Sequence, residues 1–94
     1  MNHVRIAYCA KCHWLPRACW MSQELLATFE QELNEVTLGS AISGTFQIHA
    51  NDQLIWCRKE DAGFPDIAEL KRRVRDVIAP SRSLGHLDRS CPTC

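Results

Sequence analysis

Val4-Arg5-Ile6-Ala7-Tyr8-Cys9-Ala10-Lys11-Cys12 is the stretch whose reading decides the fold. Val4, Ile6 and Tyr8 fall on alternate positions, the period-2 pattern of a strand with one buried face. The segment from about Trp14 to Leu33 changes to helical spacing. Leu15, Ala18, Ser22, Leu25, Leu26, Phe29 and Leu33 lie within an arc of roughly 100°, a core face, and Pro16 is tolerated because it falls in the first turn. A Cys-x-x-Cys between strand and helix places two thiols at the positive end of a helix dipole. There thiolate is favoured, and a two-residue spacer lets the sulfurs meet as a disulfide. That is the arrangement a dithiol oxidoreductase needs.

Outward from this unit, Glu35 to Leu38 reads as a short strand running into a loop over Gly39 to Gly44. Thr45 to Ala50 alternates again, Asn51-Asp52 makes a tight turn, and Gln53 to Arg58 forms the second strand of a hairpin. Lys59 to Pro65 is a polar loop. Asp66 suits the N-cap of a second helix in which Ile67, Leu70, Val74, Val77 and Ile78 share a face, and Pro80 ends it. The order β-α-β-β-β-α predicts a mixed α/β (α+β) domain over residues 1–80, with one four-stranded mixed sheet and helices packed on it. This is a thioredoxin-like arrangement with the Cys9/Cys12 pair at its active-site position. Residues 81–94 lack periodicity and read as a tail.

Ninety-four residues with 11 basic and 11 acidic side chains make a single domain with no electrostatic case for nucleic acid or an anionic membrane. No apolar run approaches the roughly 18 residues of a membrane span. Strand-like sequence begins within about three residues of Met1, which leaves no room for a signal peptide, so the expected location is cytoplasmic. Six cysteines in so short a chain would also suit a secreted disulfide scaffold. The periodic segments supply an ordinary core without such staples. In a reducing compartment, paired cysteines point instead to redox or metal chemistry.

Several residues narrow the reading. Tyr8-Cys9-x-x-Cys12, Gly44-x-Phe46 at the start of the hairpin, Leu54-Ile55, Arg58-Lys59 and Gly63-Phe64 together resemble the selenoprotein W-like (Rdx) family, over about residues 4 to 80, and Ser83-Leu84-Gly85-His86 resembles the tail of its bacterial members. The resemblance implies a thioredoxin-like fold and a cytoplasmic thiol redox role linked to glutathione or thioredoxin as reductant. In animal members selenocysteine takes the second position of the motif, which here is Cys12. The chain departs from thioredoxins in having no proline before the hairpin, where Ile42-Ser43-Gly44-Thr45 stands instead.

Cys9 and Cys12 are therefore the expected catalytic pair, with Cys9 the more exposed member and first attacker on thioredoxin logic, and Cys12 the attacker if the selenocysteine position is followed. A metal clip or an inert pair is the alternative. Lys11 and His13 are candidate tuners of the thiolate, His13 also as a proton donor to a leaving thiol. The second motif, Cys91-Pro92-Thr93-Cys94, is a candidate resolving or shuttle dithiol. A four-thiolate zinc site with the first pair would need two knuckles roughly 15–20 residues apart, and these are much farther apart, so no metal is assigned.

Cys19 and Cys57 read as small buried hydrophobes. Trp20 lies about 160° from the centre of the helix core arc and is a candidate partner-binding residue. Neither a phosphate loop nor a dinucleotide fingerprint is present, so no bound organic cofactor is expected, and the partners expected are glutathione or a thiol-containing protein. The oligomeric state is not set by the sequence. The leading expectation is thiol–disulfide exchange. The competing one is a redox-sensing adaptor that binds its partner through Trp20.

Overall fold

The computed structural model describes residues 1–85. The order is β1 (His3–Cys9), α1 (Leu15–Thr28), β2 (Glu35–Ala41), β3 (Phe46–Ala50), β4 (Gln53–Cys57) and α2 (Ile67–Ile78). The strands form one sheet in the order β2-β1-β3-β4. β1 pairs in parallel with β2 and antiparallel with β3, and β3 pairs antiparallel with β4. This is the expected β-α-β-β-β-α order with a four-stranded mixed sheet.

β1 occupies the interior of the sheet because its alternate residues are apolar and both its edges are used. Val4 and Ile6 are fully buried and share a core with Phe46, Ile48 and Ala50 of β3. Asn51 and Asp52 both have positive φ, as a two-residue hairpin turn requires, and they close β3 onto β4. A register shift between Ile48 and His49 makes Ile55 the extra residue of a bulge, so Ile55 and Trp56 are both buried in succession.

Three boundaries differ from expectation. β2 continues through Gly39, Ser40 and Ala41, because these pair with Ala7, Tyr8 and Cys9. At Gly39 an added Cβ would lie 3.0 Å from the tip of the Arg5 side chain, which would have to shift to admit it. α1 stops at Thr28, five residues early, and Phe29 to Leu33 turn instead. Phe29 and Leu33 remain buried all the same. Asp66 sits at the N-cap of α2 with an extended backbone, but its side chain makes no capping hydrogen bond.

The core face of α1 is also turned from the predicted one. Ala18, Met21 and Leu25 are buried, whereas Leu15 is 41% and Leu26 39% exposed. This corresponds to a rotation of about 50° toward Met21. The flank that gains contact is the one on which α2 lies, fixed by Lys71 Nζ to Glu24 Oε1 at 2.9 Å.

The basic side chains of α2 are more than a solvated face. Arg73 donates to the Ile55 carbonyl at 2.8 Å and to Glu69 Oε2 at 2.8 Å, and stacks 4.6 Å over the Trp56 ring, so it joins α2 to β4. Hydrogen bonds from Arg73, then Arg72, hold the Glu69 carboxyl below the ordinary carboxylate value. Beyond α2, residues 82–84 stay on the body. Arg82 pairs with Glu32 at 2.8 Å and lies over Phe29, and Leu84 packs against the core.

Two outcomes follow. In urea denaturation, Leu25→Ala should lose about 2–5 kcal/mol and Leu26→Ala less than about 1, a contrast that equal losses would contradict. The depressed Glu69 carboxyl supplies stability above the ordinary carboxylate pKa of about 4.3, lost as pH falls through the lower folded value. Glu69→Gln should therefore show a smaller loss of urea midpoint between neutral and acid pH than the natural chain.

Candidate functional site

Cys9 is the last residue of β1 and Cys12 follows one turn later; the two are joined as a disulfide with Cα atoms 5.3 Å apart. His13 N–H donates to the Ala10 carbonyl at 3.1 Å, closing a turn over Lys11 and Cys12. His13 leaves that turn with φ +62, in the left-handed region, which non-glycine residues enter seldom. Helix α1 then starts at Leu15, with Trp14 at its N-cap and Pro16 in its first turn. The dithiol thus stands on a turn two residues ahead of the helix. The polar group that reaches sulfur is local: the main-chain N–H of Cys12 donates to Cys9 Sγ at 3.2 Å.

The two sulfurs differ in access, in the opposite sense to the expectation that Cys9 is the more exposed. Cys9 is 1% exposed and Cys12 is half-buried. The topology brings a further segment to the same strand end. β2 and β3 flank β1 on opposite sides, with Ala41 level with Cys9 and Phe46 level with Tyr8. The four residues between them, Ile42 to Thr45, must therefore cross over the end of β1 just where Cys9 lies. Thr45 N–H donates to the Ile42 carbonyl at 3.1 Å within this bridge, and Gly44 takes φ +80. Ile42 projects outward, 80% exposed. No peptide bond among the described residues is cis, so the bridge is built differently from a cis-proline loop.

Behind the turn lies a cluster that sequence reasoning did not assemble. Trp14, Phe46 and Phe64 meet edge to face, with centroids 6.3 Å (Trp14–Phe46), 4.9 Å (Trp14–Phe64) and 5.1 Å (Phe46–Phe64) apart. Two guanidinium groups cover it: Arg17 lies 4.0 Å over Phe64 and Arg58 4.9 Å over Trp14. Trp14 opens the segment of helical spacing, and spacing alone does not point it at Phe46 or Phe64. The available signal was the pair of Gly-containing motifs around Phe46 and Phe64, whose convergence needs the folded sheet. Lys11 and His13 are both exposed on the turn that carries Cys12.

The other candidates are distributed as follows. Trp20 is 48% exposed on α1, away from the core, as its angular position predicts. Cys57 is a buried free thiol beside Gln47 Nε2 at 3.7 Å, and Cys19 is a half-buried one. Cys91 and Cys94 lie outside the described residues. Among the described residues no three His, Cys, Asp or Glu side chains gather into a metal-binding group, and no helix is long and apolar enough to cross a membrane.

A mixed sheet of this order with a CxxC disulfide at the end of its central strand defines the class: a thioredoxin-like CxxC protein. The Rdx family model matches residues 3–76. A selenoprotein W-related protein from Vibrio cholerae superposes with a TM-score of 0.78 at 45% identity, covering 80% of this chain and 94% of that one. A protein from Bordetella parapertussis gives the same TM-score of 0.78 at 49% identity, covering 80% and 95%. No curated protein matches. The chain belongs to the Rdx family, and its membership and the Cys9–Cys12 pair are both consistent with a redox role.

Gly44 tests the bridge directly. Gly44→Ala forces a side chain into the left-handed region against Arg58 and Lys59, whose nearest atoms would lie 3.5 and 3.7 Å from the new Cβ. Thermal or urea unfolding should register a loss of about 1–2 kcal/mol, and an unchanged midpoint would argue against this backbone conformation.

Proposed function

We propose that this protein is a thiol–disulfide exchanger in which Cys12 attacks and Cys9 resolves. The carrying observation is the unequal access of the two sulfurs, with Cys9 buried at the strand end and Cys12 reachable from the turn. In the reduced protein the Cys12 thiolate attacks one sulfur of a substrate disulfide, and the other sulfur leaves as a thiolate. Cys9 then attacks Cys12 Sγ, expelling the second substrate thiolate and closing Cys9–Cys12. Two electrons pass from the protein to the substrate, which departs as two thiols. To reset the pair, a glutathione thiolate or the first thiol of a thioredoxin-type dithiol attacks Cys12 Sγ, and Cys9 leaves as a thiolate, its charge met by the Cys12 N–H that already points at it. A second glutathione, or the dithiol's other thiol, then attacks the sulfur bonded to Cys12, freeing Cys12 and releasing glutathione disulfide or the oxidised dithiol.

The resemblance supports the same assignment, since the selenocysteine of animal members falls at the Cys12 position. Lys11, exposed on the turn, favours an anionic attacking sulfur, and the role assigned to exposed His13 is to return a proton to a departing thiolate. Exposed Lys11, inside the motif, suits a carboxylate of glutathione. The setting for this chemistry is the reducing cytoplasm, with no bound organic cofactor. Cys91 and Cys94 are a candidate second dithiol for exchange with the first, against an uninvolved tail.

A redox titration in glutathione buffers, read by differential alkylation and peptide mass mapping of all six cysteines, tests the reading. A reversible Cys9–Cys12 couple with a midpoint of about −200 to −300 mV is expected. Failure of the two to pair reversibly would sink it. Coupled oxidation of Cys91 and Cys94 would mark them as part of the relay, and independent behaviour would remove them from it. Trapping a mixed disulfide should succeed on Cys12 in Cys9→Ser and fail in Cys12→Ser.

Exposed Trp20 favours a second reading, a redox-gated adaptor that binds its partner through this surface. The double Cys9→Ser, Cys12→Ser variant separates the two: an exchanger loses all turnover, whereas an adaptor retains its partner in reducing buffer.

A further inference from the structure

Resting on the exchange reading above, we infer that Arg58 decides which sulfur of the dithiol is open to attack, as a positioning residue that holds the 42–45 bridge over Cys9. Arg58 Nε and Nη2 both donate to the Gly44 carbonyl, at 3.1 and 2.9 Å. The same guanidinium lies 4.9 Å over the ring of Trp14, two residues after Cys12. One planar cation thus ties the bridge to the segment leaving the dithiol turn. Its own backbone is fixed, since Arg58 N–H donates to the Phe46 carbonyl and the Arg58 carbonyl accepts from Gly63 N–H, both at 2.9 Å. The anchor is therefore rigid at its root and bidentate at its tip, a geometry that lysine cannot copy.

The bridge needs such an anchor. It spans from one side of β1 to the other in four residues, it carries an outward Ile42, and its hydrogen bond from Thr45 N–H to Ile42 is internal to it. Gly44 turns its carbonyl toward Arg58 by adopting φ +80. With the bridge held down, Cys9 is closed to solvent and only Cys12 meets an incoming sulfur. Released, the bridge lifts from the strand end and Cys9 becomes a second point of attack. Arg58 thus sets the order of the exchange steps without touching either sulfur.

The test is pulse alkylation of the fully reduced protein with iodoacetamide, with the Cys9 and Cys12 peptides quantified separately. In the natural chain Cys12 should react at least about tenfold faster than Cys9. Arg58→Met keeps an unbranched stem over Trp14 but loses both hydrogen bonds, and should narrow that ratio about fivefold or more through faster labelling of Cys9. Arg58→Lys keeps the charge and should fall between the two. Inserting one glycine between Ser43 and Gly44 slackens the bridge with Arg58 still present, and should raise Cys9 labelling similarly, which separates position from charge. Circular dichroism establishes that each variant is folded. An unchanged ratio in both the Arg58→Met and the insertion variant, or equal labelling of the two cysteines in the natural chain, would overturn the inference. Because labelling needs no turnover, failure of the Cys9–Cys12 couple in the redox titration would remove the exchange reading while leaving the labelling result to judge the clamp.

Discussion

The pairing of β1 on both of its edges is the constraint from which the rest of the molecule follows. His3 to Cys9 pairs with Glu35 to Ala41 on one side, and Val4 to Tyr8 with Ala50 to Phe46 on the other. A strand buried in this way cannot slip by one residue without moving Val4 and Ile6 out of the core. Its N-terminal end is pinned by an asparagine network. Asn2 N–H donates to Asn34 Oδ1, Asn51 Nδ2 to Asn2 Oδ1, and His3 N–H to Asn51 Oδ1, all within 2.8–2.9 Å. The far end carries Cys9, so the position of one sulfur is fixed by the whole sheet rather than by its neighbours in sequence.

That placement explains why the two cysteines of one motif have different environments. Cys9 ends the strand, on the face opposite Val4 and Ile6, and is 1% exposed. Cys12 belongs to the turn, which the chain enters as it leaves the sheet. The chain must also pass from β2 to β3 across the end of β1, which brings Ile42 to Thr45 to the same spot. A cysteine pair with one hidden and one accessible member is a consequence of topology, and Trp14, two residues after Cys12, leads into the cluster with Phe46 and Phe64 that two arginines cover. Such cation–ring contacts are worth about 0.5–2 kcal/mol each, and here they also orient the guanidinium whose hydrogen bonds hold the bridge.

Beyond the site, polar side chains mostly join elements together. Arg73 links α2 to β4, Lys71 links α2 to α1, and Arg82 fastens the segment after α2 to Glu32. Each is long enough to lie along apolar surface while its head reaches a carboxylate or a carbonyl. Single exposed pairs contribute little. Arg73 is of more consequence because it satisfies an edge-strand carbonyl and stacks on Trp56 at once.

The six elements and the Cys9–Cys12 site were legible in the sequence, because strand and helix periodicities are local and a CxxC at their junction is a local signal. Burial of Phe29 and Leu33 was legible even though α1 ends before them, since spacing reports which side chains face inward more reliably than where hydrogen bonding stops. The extension of β2 through Ala41 was not, because it depends on pairing with a strand about thirty residues away. The rotation of α1 was hidden for a similar reason: α2, distant in sequence, decides which flank of the helix is covered. The meeting of Trp14, Phe46, Phe64 and Arg58 has no sequence period at all. So the chain by itself determined the elements, their order and the presence of a dithiol. Only the tertiary structure decided which sulfur is accessible, because that depends on a bridge whose course is set by strand order and whose hold comes from a residue on another strand's end.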